Sequence, residues 1–99
     1  MNNFTEHLRQ TRRLVILRLL SEQNAYTTNS SVLHRALHHL GIASSRDDVA
    51  TDLAWLAEQG LLTLEQPVPA LYVATLTARG HDVVLGNAIV PGVSRPSPR

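Results

Sequence analysis

Three features of the residue pattern predict an α+β fold, mostly α. Apolar residues recur at helical spacing in three successive segments. After Gly60 the spacing changes to that of short strands, with Gln66-Pro67-Val68-Pro69-Ala70 between two apolar runs. A last helical segment then closes at Gly86, before a stretch rich in proline. The expected architecture is a three-helix bundle, a two-stranded β-wing and a short C-terminal helix over residues 1–86, with an extended tail at 87–99.

The first helix is expected from Phe4 to Glu22, a run without Pro or Gly. Its first half is amphipathic, with Phe4 and Leu8 set against Glu6, His7, Arg9 and Gln10. Its second half, Leu14-Val15-Ile16-Leu17-Arg18-Leu19-Leu20, is apolar around nearly the whole circumference, so more than one side must be covered. The core supplies one cover. A second subunit is the expected other, with Leu14, Leu17, Ile89 and Val90 as the interface of a homodimer.

Thr28 or Asn29 can cap the second helix, whose buried arc is Val32, Leu33, Ala36, Leu37 and Leu40. His34, Arg35 and His38 fall on the opposite arc, and Gly41 ends the segment. Ser45 with Asp48 resembles a capping pair for the third helix, which runs to Gln59. Val49, Leu53, Leu56 and Ala57 form its buried stripe, and Asp48, Thr51, Asp52, Trp55 and Gln59 its other face. The strands are expected at 61–65 and 71–76, because neither Pro67 nor Pro69 fits a central ladder. Thr77 caps the fourth helix, Ala78 to Leu85.

The 99 residues hold nine basic side chains, all arginine, against eight acids, for a formal net charge of +1. That balance is not the footprint of a strongly basic nucleic-acid binder. Aromatics are few (Phe4, Tyr26, Trp55, Tyr72), so aliphatic residues must build the core. The absence of cysteine excludes disulfides, thiolate metal sites and thiol catalysis. No apolar run approaches the ~20 residues that span a bilayer, and no signal peptide is recognisable, so a cytoplasmic protein is expected.

Helix, helix, turn, helix and hairpin is the order of a winged helix-turn-helix domain. Two stretches carry the resemblance. Leu53-Ala54-Trp55-Leu56-Ala57-Glu58-Gln59-Gly60-Leu61 resembles the Leu-x-x-Leu-x-x-x-Gly-Leu signature that ends the recognition helix in many bacterial winged-helix regulators. Leu76-Thr77-Ala78-Arg79-Gly80 resembles the exit from the wing in the same families. More narrowly, the chain is similar to small winged-helix proteins of Mu-like prophages, a match that Val90-Pro91-Gly92-Val93-Ser94-Arg95-Pro96 supports. The resemblance implies an ArsR-like or MarR-like fold, a bacterial host cell and a regulatory role. It implies no catalytic or metal-binding residue.

For double-stranded DNA, the candidate contacts are Ser44, Ser45, Arg46 and Thr51 on the third helix, with Arg35 and His38 over the backbone. Asp47 and Asp48 suit a helix N-terminus, whereas Asp52 on a groove-facing surface would repel phosphate. The wing tip carries no cation. An alternative role is a protein-interaction adaptor, in phage assembly or host-factor binding, with Trp55 and Asp52 as contact residues. His34 and His38 have the spacing of a helical metal pair but lack further ligands nearby in sequence. No phosphate loop, nucleophile elbow or paired acid is recognisable, and neither an enzyme nor a cofactor is expected.

Overall fold

The computed structural model of the chain describes residues 3–97. Met1 and Asn2 of the expected domain, and Pro98 and Arg99 of the expected tail, lie outside them. Helix α1 (Asn3–Ser21) leads through a 3-10 turn to a short strand, β1 (Thr27–Asn29). Helices α2 (Ser30–His39) and α3 (Arg46–Glu58) follow, then β2 (Leu62–Val68), β3 (Leu71–Leu76) and α4 (Ala78–Leu85).

The antiparallel sheet has the order β1-β3-β2, so β3 is central. Strand β1 was not expected from the sequence. It has three polar residues, too few for alternation to be visible, and it exists because β3 offers a free edge. The hydroxyls of Thr27 and Thr75, 2.9 Å apart, tie the two strands. Strand β2 runs past its expected end and takes in Pro67. That residue is tolerated because β2 is an edge strand and its register slips between Glu65 and Val68. Pro69 then starts a tight turn that Ala70 completes at φ 66°.

The core gathers Ile16, Leu17 and Leu20 of α1 with Leu33 and Leu37, Val49, Leu53 and Leu56, Leu61 and Leu62, Ala74 and Val83. Val32 and Leu40, expected in the buried arc of α2, are exposed. Helix α1 is indeed covered on more than one side, but within the chain. Leu14, Leu17 and Val90, expected at a dimer interface, lie inside the core at 5%, 0% and 3% exposure, while Ile89 remains outside at 61%. The physical reason is the path of residues 87–97. Expected as a separate extended tail, they fold back so that Val90 and Val93 join the core. The Ser94 amide donates to the Gln10 carbonyl of α1 at 3.2 Å.

Candidate nucleic-acid interface

The helix-turn-helix is set by its caps. The Asn29 side chain accepts from the Val32 amide at 2.9 Å and starts α2. Gly41, at φ 77°, reverses the chain, and the Ile42 amide returns to the Leu37 carbonyl at 2.9 Å. Helix α3 opens with a capping box: Ser45 Oγ accepts from the Asp48 amide at 2.9 Å, and the Ser45 amide donates to Asp48 Oδ2 at 3.0 Å. The Ser45 amide lowers the Asp48 pKa, against a smaller opposing effect of burial; the Ser45 hydroxyl, Arg12 and Arg9 lower it further.

These caps decide what the start of α3 can offer. Ser45 and Asp48 are engaged with each other. The Ser44 carbonyl accepts from His34 Nε2 at 3.0 Å, and the Ser44 hydroxyl is buried without a partner among the described residues. Arg46 is exposed at the first position of the helix and makes no ion pair among the described residues. Asp47, Thr51, Ala54 and Glu58 form the outward stripe at helical spacing, with Ala50 beside it. Arg35 and His38 are exposed on α2. The DNA candidates are thus accessible at Arg46, Thr51, Arg35 and His38, and Ser44 and Ser45 are committed to the turn.

Asp52 is not on that surface. It is fully buried, and both of its oxygens are taken: Arg12 Nε donates to Oδ2, and Arg13 Nε donates to Oδ1 at 3.2 Å. Arg12 and Arg13 are themselves buried. As a protein-contact residue, the role expected in the adaptor reading, Asp52 is therefore excluded, because α1 and its two guanidinium groups cover it. The periodicity contained the signal, since position 52 falls three residues after Val49 and four before Leu56. This buried group of charges is the feature that residue patterns taken helix by helix missed.

Trp55 belongs to the same cluster. The Arg13 guanidinium carbon lies 3.9 Å from the centre of its ring, and Arg13 Nη1 donates to the Gly92 carbonyl at 3.0 Å. The indole is half-buried beneath Arg13 and Gly92 and not the free anchor expected of an adaptor surface. The cluster also changes the electrostatics. Its two arginines and one aspartate hold the whole formal +1 of the chain, so the remaining charges cancel.

The wing is anchored by the two sequence signatures. Gly60, at φ 76°, ends α3, and the Leu61 amide bonds back to Leu56 at 3.0 Å. Thr77 Oγ1 donates to the Gly60 carbonyl at 2.7 Å and accepts from the Gly80 amide at 3.0 Å, joining the end of α3 to the start of α4. Arg79 Nε donates to the Gln59 carbonyl at 3.1 Å. Beyond this anchor, residues 65–70 are exposed and carry no cation.

No protein-family model matches the chain. Among solved structures, RosR of H. salinarum is similar with a TM-score of 0.64 and 20% identity, over 75% of this chain and 66% of that one. That likeness is one of fold, and the fold is the winged helix. Among sequences, an uncharacterized protein of Haemophilus influenzae is 46% identical over 77 residues, covering 78% of this chain and 74% of the relative. The protein gp26 of Escherichia phage Mu is 49% identical over 92 residues, 93% of this chain and 94% of the phage protein. With that identity over nearly the full length of both, the chain belongs to the family of phage Mu gp26.

Proposed function

We propose that this is a DNA-binding winged-helix protein of phage or prophage origin, a transcriptional regulator acting on double-stranded DNA in the bacterial cytoplasm. The observation that best supports the reading is the inward placement of Asp52. It takes one of the acids of α3 out of the outward stripe, where Asp47 and Glu58 remain, and Arg46 stands at the start of the helix without an ion pair among the described residues. Ala50, Thr51 and Ala54 are small, so the helix can approach base edges closely, and their methyl groups suit thymine. In this reading Arg46 reaches a guanine edge or a phosphate, while Arg35 and His38 contact the backbone. Of the four residues expected at a homodimer interface, Leu14, Leu17 and Val90 lie in the core and Ile89 is exposed.

The test is a mobility shift on labelled phage DNA at low salt. Arg46→Ala should weaken binding about tenfold or more while the helical circular dichroism is unchanged. Absence of a shift at low salt, or an unchanged shift with Arg46→Ala, overturns the reading.

A second reading, an adaptor that binds protein and no DNA, is favoured by the wing tip. Residues 65–70 are exposed, include Glu65 and Val68, and hold no positive charge for a phosphate. The same mobility shift separates the two.

A further inference from the structure

We propose that the groove between α1 and residues 89–97 is a docking site for an acidic amphipathic helix of another protein. The groove has a volume of about 740 Å³, and all of its lining comes from α1 and the folded-back tail. It shares no residue with the outward stripe of α3, so the proposal does not depend on DNA binding.

Shape and chemistry define the occupant. The groove follows α1 from His7 to Arg18. At helical rise that is roughly 16 Å, about three turns of a partner helix. Val15 and Ile89 give it accessible apolar surface, over a floor that includes the buried Leu14. His7, Arg18 and Arg95 also line it, and no Asp or Glu does among the described residues. Arg18 and Arg95 make no ion pair among the described residues. A groove with exposed aliphatic surface flanked by two arginines is complementary to a helix with aliphatic residues on one face and Glu or Asp beside them. A second copy fits less well, because the groove and the two arginines offer it no acidic partner of their own on the same surface. A phosphate backbone would use the cations and gain nothing from the apolar residues.

The experiment is fluorescence anisotropy with the full chain. The probe is a labelled helical peptide of about fifteen residues, with leucines on one face and glutamates elsewhere. A control peptide carries lysine for every glutamate. The acidic peptide should bind saturably, and the lysine peptide at least about a hundredfold more weakly. Arg18→Glu with Arg95→Glu should weaken the acidic peptide about tenfold or more, and Ile89→Glu should do the same, without changing the melting temperature. Equal binding of both peptides, no saturable binding, or insensitivity to these substitutions overturns the proposal. So does a dimer in sedimentation that Ile89→Glu dissolves, which would place a second copy in the groove. Loss of DNA affinity in the Arg18→Glu, Arg95→Glu variant, as large as that from Arg46→Ala, would assign the two arginines to nucleic acid and equally overturn it.

Discussion

Gly92 packs against the indole of Trp55 with no room for a side chain. A methyl group on Gly92 would sit 2.7 Å from Cη2 and Cζ2 of the indole, and the residue holds φ at 100°, where side chains are strained. Contact and dihedral act together, so the tail is seated by the one residue type that fits. Gly92→Ala should cost about 1–3 kcal/mol. Urea unfolding followed by Trp55 fluorescence measures this, and an unchanged midpoint would mean that the tail is not clamped there.

Asp52 should be among the most sensitive positions in the chain. Asp52→Ala leaves the buried Arg12 and Arg13 guanidiniums without a counter-charge, and breaking such a group costs about 3–5 kcal/mol. For a domain whose total stability is about 5–15 kcal/mol, that is a large share. Replacing all three charges together, with Arg12→Met, Arg13→Met and Asp52→Leu, should recover most of the loss, because no ion is left unpaired. Thermal denaturation of the two variants compares them directly. A triple variant as unstable as Asp52→Ala would show that the ion pairs themselves hold α1 on α3.

Gly80 has a different constraint. A methyl group there would lie 2.0 Å from the Leu61 carbonyl oxygen, a backbone atom that cannot rotate away. Gly80→Ala should therefore push α4 away from the Leu61 backbone at the entry to β2 and cost more than about 4 kcal/mol. Soluble expression and a melting curve give the answer, and a near-normal melting temperature would contradict the packing described.

Asp48 gives the start of α3 an acid sensitivity. Its pKa is lowered in the folded state, first by the hydrogen bond from the Ser45 amide. A carboxylate depressed on folding contributes stability above its unfolded pKa and loses that contribution as pH falls through the folded value. Asp48→Asn should thus be less stable than the parent at neutral pH, and the difference should shrink as pH falls below about 4, the ordinary carboxylate value. Parallel urea titrations across that window test it. A gap that stays constant would mean that the charge of Asp48 is not what the cap uses.

Much of the fold was legible because its signals are local. Gly60 and Gly86 end helices at positive φ, and Asn29, Ser45 and Thr77 cap the helices that follow. Each of these features is set by residues within one turn of chain. What was not legible depends on distant partners. Asp52 has the spacing of a buried position, but what neutralises its charge there, Arg12 and Arg13 some forty positions earlier, is not visible locally. The tail reads as extended because its prolines exclude helix, yet Gly92 meets Arg13 across 79 positions. Leu14 and Leu17 suggested a second subunit for the same reason: the cover that α1 requires arrives from the far end of the chain. At the candidate interface, residue types were readable but not their engagements, and Ser45 and Trp55 turned out to be occupied.

The most direct test is the affinity of the intact chain for a labelled duplex, measured by anisotropy across a series of salt concentrations. With Arg46 and Arg35 as phosphate-facing cations, the logarithm of affinity should fall with the logarithm of salt at a slope of roughly −2 per chain. Arg46→Ala should make that slope shallower by about one. A duplex that is not retained even at the lowest salt, or one whose binding ignores both salt and Arg46, would contradict DNA recognition by α3.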